Sequence, residues 1–235
     1  MQVAIISWAG HFDAARRIYD ALAPIARGCR IIYSAEPGDR PFTRGESTER
    51  RDTGSFWADK FQVAIQIPEE SDLLIIHADC QCGDWPALYR ACERAFSQHP
   101  EVAVWCPFIL GTPFPLARVS LGPLGDTGLS KVAQTDGLVV GLRRDVLARM
   151  RRAHYDGNHL GWGIDWLYNA HAYAIGAAAA VDPSIRVRHR PGAGYDTARA
   201  SVEMQYFLTQ MTDAEHAAYR KLVEHIRANP PAAPE

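Results

Sequence analysis

The chain alternates short apolar runs with segments of helical periodicity. Val3-Ala4-Ile5-Ile6-Ser7-Trp8 is apolar until its last positions and reads as a buried first strand. Ile18, Leu22 and Ile25 follow at helical spacing and predict a helix that buries this face. Arg30 to Ser34 predicts a second strand. The polar stretch Gly38 to Gly54 predicts a long loop of the kind that often serves as a functional flap. A helix is expected over Phe56 to Ile65. Asp72 to His77 then predicts a third strand, apolar along its length like a parallel central strand. The next helix starts near Asp84, with Pro86 in its first turn and Trp85, Leu88, Cys92 and Phe96 on its buried face. Glu101 to Cys106 predicts a fourth strand.

The second half reads differently. Pro107 to Gly128 is rich in Pro and Gly and predicts loops or a hairpin. A strand is expected over Leu138 to Leu142, a helix over Arg143 to Arg152, another from Trp162, and a last strand over Ile185 to His189. The chain is predicted helical from Ala198. Thr212-Asp213-Ala214-Glu215 has the capping-box pattern and opens a helix with Tyr219, Leu222, Val223 and Ile226 on one face. Asn229 to Glu235 is expected to fray. Strands alternating with helices predict right-handed βαβ units and a mainly parallel sheet. The expected organisation is one α/β domain over residues 1–195, a helical extension over 196–228 and a disordered tail over 229–235.

Composition narrows this picture little. With 235 residues, 47% hydrophobic and 22% charged, the chain has ordinary globular usage. A net charge of -2 gives no basic nucleic-acid footprint, so nucleic acid is not an expected partner. Lys60, Lys131 and Lys221 are the only lysines; the arginine bias fits phosphate contacts and genome composition alike. Cys29, Cys80, Cys82, Cys92 and Cys106 are odd in number and suggest no disulfide framework, hence a reducing compartment. Cys80-Gln81-Cys82 lacks the second pair that a structural zinc requires. No basic leader precedes Val3, and the alanine-rich stretch Ala170 to Val181 is too short to span a bilayer. A cytoplasmic protein with no integral membrane segment is expected.

In an open α/β sheet, ligands bind beyond the carboxyl ends of the strands. Those ends are polar: Ser7-Trp8, Ser34-Ala35-Glu36 and His77-Ala78-Asp79. No G-x-G-x-x-G follows the first strand, and no phosphate-binding G-x-x-x-x-G-K-[ST] occurs. A nucleotide held here would need a metal for its phosphates, and Asp79 offers the oxygen that Mg²⁺ or Mn²⁺ prefers.

Strand, helix, strand and then an acidic motif closing an apolar strand resembles the GT-A fold of nucleotide-sugar-dependent glycosyltransferases. His77-Ala78-Asp79 stands where that family has Asp-x-Asp, with the first acid replaced. Gly161-Trp162-Gly163-Ile164-Asp165, with Tyr168-Asn169 after it, resembles the Gly-Trp-Gly-acid segment of β-1,4-galactosyltransferase-like enzymes. Arg186-Val187-Arg188-His189 resembles that family's late strand ending in His. The resemblance implies Asp165 as catalytic base, Trp162 and Gly163 at a sugar, and Asp79 with His189, and His77 beside them, at a divalent cation, Mn²⁺ or Mg²⁺. It also implies an inverting transfer of a galactose-like hexosyl group from a uridine-diphosphate sugar to a carbohydrate acceptor. Ser7, Trp8 and Glu36 are the expected nucleotide-binding residues. Gln134, Thr135 and Asp136, just before a strand, are expected to face the donor sugar or acceptor.

The residues also carry plainer readings. Asp165 could be an ordinary first-turn acid, His189 a solvated strand end, His77 a buried hydrogen-bonded histidine, and Trp8, Trp57 and Trp105 core. The glycines flanking Trp162 instead suggest a tight turn near a ligand. A non-catalytic sugar-nucleotide-binding module and a nucleotidyltransferase are the other function classes left open.

Overall fold

The computed structural model describes residues 1–35, 38–39, 42, 47–190 and 195–230. The first half runs β1 (Gln2–Ser7), α1 (Phe12–Leu22), β2 (Gly28–Ser34), β3 (Thr48–Arg51), α2 (Trp57–Ala64), β4 (Leu73–His77), β5 (Gln81–Cys82), α3 (Trp85–Gln98) and β6 (Val102–Leu110). The second half runs α4 (Leu116–Val119), β7 (Ser120–Pro123), β8 (Ser130–Val132), β9 (Val139–Leu142), α5 (Arg144–Arg151), α6 (Ile164–Ala174), β10 (Ala178–Arg188), α7 (Thr197–Leu208) and α8 (Asp213–Ala228).

All of the strands form one sheet in the order β3-β2-β1-β4-β9-β6-β10-β8-β7, with β5 paired separately to β10. β3, β2, β1 and β4 run parallel, and the near-continuous apolar runs of β1 and β4 suit the buried centre of such a sheet. β9 lies antiparallel between β4 and β6, and β6 pairs parallel with β10. The α/β class with a parallel sheet and C-terminal helices is therefore the observed one. α6 packs on β6 and β10, and α8 packs against α6.

Local chemistry accounts for the element ends. Asp84 caps α3 by accepting from the Ala87 N–H at 2.8 Å, with Pro86 in the first turn as expected. Thr212 and Glu215 form the full capping box on α8. Three arginines bond carbonyls at and just beyond helix C-termini. Arg143 donates to the carbonyls of Phe96, His99 and Val102, Arg30 to those of Val63, Ala64 and Gln66, and Arg151 to those of Ile65 and Ile67. For these three, the arginine bias has a structural use.

Several expectations fail locally. Ile25 lies beyond α1 and is 40% exposed rather than buried. Ala178–Val181, read from the sequence only as an alanine-rich stretch, is the buried first half of β10, which has a register irregularity at Asp182–Arg186 next to Pro183. Tertiary burial there overrides the weak strand preference of alanine. β3 is a polar edge strand inside the predicted loop. Gly38 to Gly54 falls partly, and residues 231–235 of the expected tail wholly, outside the described residues.

Candidate active site

A cavity of about 940 Å³ opens at the carboxyl ends of β1, β4, β6 and β10. Its size suits a substrate of several rings. Backbone pairing fixes which side chains meet there. The Ala78 N–H donates to the Ile6 carbonyl and the His77 N–H to the Leu138 carbonyl, each at 2.8 Å, so the ends of β1, β4 and the start of β9 lie side by side. β5 pairs Gln81 with Arg188 and Cys82 with Val187. This two-residue strand brings Asp79 against His189, 110 positions later in the chain.

The Asp79 Oδ2 and His189 Nε2 atoms are 3.3 Å apart. Burial alone would raise the Asp79 carboxyl, but the hydrogen bond and charge of His189, with His77 and His11 nearby, hold it below its ordinary value. The same hydrogen bond raises His189. Asp79 Oδ1 is buried without a hydrogen-bond partner, and so is His77 Nε2. Such orphaned atoms are costly unless a ligand completes them. His77 packs edge-on against Trp8 and Trp57, with ring centroids 5.1 and 4.6 Å away, and burial pushes it down to about 4. It is a neutral imidazole. Among the described residues, no three His, Cys, Asp or Glu side chains converge as a ready-made metal cage. The Asp79–His189 pair thus offers an oxygen and a nitrogen, leaving the remaining positions of a cation to substrate and water.

Asp165 sits in the first turn of α6, whose N-cap is Gly163 with φ +89°. The Gly161-Trp162-Gly163 turn needs both glycines in the left-handed region. A Cβ on Gly161 would lie 2.5 Å from Trp57 Cδ1, and one on Gly163 2.9 Å from Met204 Cγ. Asp165 Oδ1 accepts from the Trp166 N–H at 2.9 Å and Oδ2 from Gln134 Nε2 at 2.7 Å. Burial, and then the charge of Asp136, nevertheless raise its carboxyl to about 7. A helix N-terminus favours the ionised form, but desolvation outweighs the dipole here. Asp136 is itself raised by burial and accepts from Thr112 Oγ1 at 2.7 Å.

Of the residues expected at the site, Trp8, His77, Asp79, Asp136, Trp162, Gly163, Asp165 and His189 all line this cavity. Ser7 does not: it is fully buried, and its hydroxyl donates to the Trp8 carbonyl at 3.4 Å. Glu36 lies outside the described residues. Gln134 and Thr135 are buried behind Asp165 rather than facing the cavity. The sequence reading missed Trp57, Phe56, Thr112, Tyr195 and Met204, which also line it. The Trp162 Nε1–H donates to the Tyr195 hydroxyl at 2.8 Å, which fixes the indole. Nothing local in the sequence pairs these two residues; only the return of the chain after β10 does.

No protein-family model matches the chain. No curated protein matches it either. Solved structures do. GalNAc-T7 with UDP, GalNAc and Mn²⁺ aligns with a TM-score of 0.65 at 11% identity, over 97% of this chain and 51% of its own. The mannosyltransferase PcManGT from Pyrobaculum calidifontis, in complex with GDP-Man and Mn²⁺, gives 0.63 at 14% identity, over 97% and 73%. Glucosyl-3-phosphoglycerate synthase from Mycobacterium tuberculosis, with Mg²⁺ and uridine diphosphate, gives 0.57 at 10%, over 88% and 77%. The chain has the GT-A fold. It spans about half the length of the first of these structures. Among the described residues, no helix of this GT-A chain is long and apolar enough to cross a membrane.

Proposed function

We propose that the cavity transfers a hexosyl group from a nucleoside-diphosphate sugar, preferentially a uridine-diphosphate sugar, to a carbohydrate acceptor. The observation that carries this reading is the convergence of two features on one cavity: the Asp79–His189 pair and Asp165, raised to about 7. The structures of similar fold bind UDP or GDP-Man with Mn²⁺ or Mg²⁺, which supports the class of donor.

Asp79 and His189 would hold the cation, and the unpartnered Asp79 Oδ1 supports that role. A bound Mn²⁺ or Mg²⁺ offsets the negative charge that builds on the departing diphosphate. His77 contributes as a neutral wall against Trp8 and Trp57 rather than as a firm ligand. Trp8 lines the nucleotide end. Trp162, held by Tyr195, offers an aromatic face to the C–H groups of a sugar, and the left-handed Gly163 after it makes the turn that sets the indole there. Asp136 faces the donor sugar or acceptor hydroxyls. Asp165 takes the proton from the acceptor hydroxyl; a base with a value near 7 is well matched to that task. Inversion at the anomeric carbon and the galactose-like donor rest on the likeness of the Gly161-Trp162-Gly163 segment to β-1,4-galactosyltransferase-like enzymes.

Thermal shift against a panel of nucleotide sugars, with and without Mn²⁺, tests the donor. A ligand at a hundredfold excess over its Kd stabilises by about 2.7 kcal/mol. Uridine diphosphate sugars should give the largest shift and should need the metal. A larger shift from guanosine or cytidine diphosphates would overturn the donor assignment.

A further inference from the structure

Behind Asp165 lies a chain of amides that the proposed reaction does not itself use. Gln134 Nε2 donates to Asp165 Oδ2 at 2.7 Å. Asn169 Nδ2 donates to Gln134 Oε1 at 2.7 Å and to Thr135 Oγ1 at 3.2 Å. Thr135 Oγ1 in turn lies 3.2 Å from the Tyr168 hydroxyl. Gln134, Thr135, Tyr168 and Asn169 are all at most 2% exposed, and none of them lines the main cavity.

We infer that Asn169 and Gln134 form a positioning relay that presents an N–H, rather than a carbonyl oxygen, to Asp165 and so holds it as an ionised, correctly aimed base. The inference rests on the reading of Asp165 as the base. An amide side chain can face either way, and only its partners decide which. Asn169 spends its NH₂ on Gln134 Oε1 and Thr135, leaving its own Oδ1 buried and unpartnered. That arrangement turns the Gln134 NH₂ toward Asp165. Reversing both amides would set Gln134 Oε1 against Asp165 Oδ2, which only a protonated Asp165 satisfies. The unpaired Asn169 Oδ1 is the cost of the observed orientation.

The relay matters because the two largest influences on Asp165 favour the neutral acid. Burial does, and so does Asp136 from the segment before β9. Tyr168 on α6 and Tyr219 on α8, the other titratable groups that feel its charge, both stay neutral, because burial and Asp165 itself raise them. The Trp166 N–H and the Gln134 amide donate to the carboxylate, and the backbone N–H of Asp165 itself also lowers it. A hydrogen bond to a charged group is worth about one to two units of acidity.

The test is the pH profile of nucleoside-diphosphate release from a nucleotide sugar with Mn²⁺, for wild type, Gln134→Leu, Asn169→Asp and Asp165→Asn. Gln134→Leu removes the donor. Asn169→Asp draws the Gln134 NH₂ to itself and turns its oxygen toward Asp165. Both should move the acid limb of the profile up by about one to two pH units, with donor affinity unchanged. A purely structural role would lower the melting temperature and leave the limb in place. On wild type alone, the Gln134 side-chain amide protons should titrate in NMR with the same midpoint as the Asp165 carboxyl carbon, which needs no variant to fold. If Asp165→Asn abolishes turnover while the limb stays fixed in both relay variants, or if the Gln134 amide is silent across the Asp165 titration, the relay is refuted and the base survives. If Asp165→Asn retains wild-type turnover, the base reading itself fails.

Discussion

Replacing Glu215 by Gln removes one charge from the most heavily bonded ionic cluster outside the cavity. Glu215 is 1% exposed and lies on α8. It accepts from Arg149 of α5 at 2.8 and 3.1 Å, from His171 of α6 at 2.8 Å and from the Thr212 N–H at 2.8 Å. The one carboxylate therefore ties three helices together, among them the helix that carries Asp165. Removing one member of a buried pair costs about 3–5 kcal/mol, because the remaining guanidinium is left uncompensated. The acidity of the group gives a similar figure. Burial opposes ionisation, yet the His171, Arg149 and Thr212 hydrogen bonds hold the carboxyl at about 2 against an ordinary 4.5. At 1.36 kcal/mol per unit, that difference is about 3 kcal/mol. Chains of this size lose about 2–4 °C per kcal/mol, so Glu215→Gln should melt about 6–20 °C lower at neutral pH.

The sign of its pH dependence follows from the same shift. The folded value lies below the unfolded one, so this stabilisation is complete above about pH 4.5 and is lost as pH falls toward about 2. Calorimetric melts between pH 7 and pH 3 on both proteins should therefore converge at the acid end. Equal melting temperatures at pH 7, or a gap that persists undiminished at low pH, would refute the reasoning.

Asp165→Asn should behave in the opposite sense: the folded carboxyl is raised from 3.8 to about 7, so charging it costs stability as pH rises toward and through 7, up to about 4 kcal/mol, and the variant should flatten that loss in pH-dependent denaturation. A variant less stable than wild type at pH 8 would contradict it. Asp79→Ala should abolish Mn²⁺-dependent nucleotide binding by calorimetry, whereas His77→Ala should weaken it only slightly; the reverse ranking would move the metal site. Gly161→Ala places a methyl 2.5 Å from Trp57 at φ +80°, so it should cost at least about 1–2 kcal/mol in melting experiments and loosen ligand binding at the Trp162 turn; an unchanged melting temperature would show that Trp57 yields freely.

The parallel half of the sheet was legible because buried strands such as Leu73–His77 are apolar throughout and their polar ends advertise the ligand side. The glycines around Trp162 were legible for a related reason: the left-handed backbone has a residue signature. Other parts carry no local signature. β5 is two residues long, yet its pairing with β10 helps bring Asp79 to His189. β10 begins in alanines and is a strand because neighbouring strands bury it. Trp57 read as core and Tyr195 was not singled out, and only tertiary packing puts both at the cavity. Gln134 and Thr135 were expected to face the donor sugar or acceptor, but they are buried behind Asp165, and side-chain direction is something spacing does not give. The acidity of Asp165 is not legible either, because the helix start is visible in sequence and the desolvation is not.

The most direct measurement is the turnover of wild type and Asp165→Asn with a uridine-diphosphate hexose and Mn²⁺, alongside donor affinity by calorimetry. The account predicts metal-dependent release of uridine diphosphate by wild type. It predicts a loss of about 10²–10⁴-fold in kcat for Asp165→Asn, with donor Kd within a few-fold, because the acceptor-side base is removed and no donor contact is lost. Wild-type turnover in a folded Asp165→Asn protein, or nucleotide-sugar binding without any turnover in wild type, would contradict it.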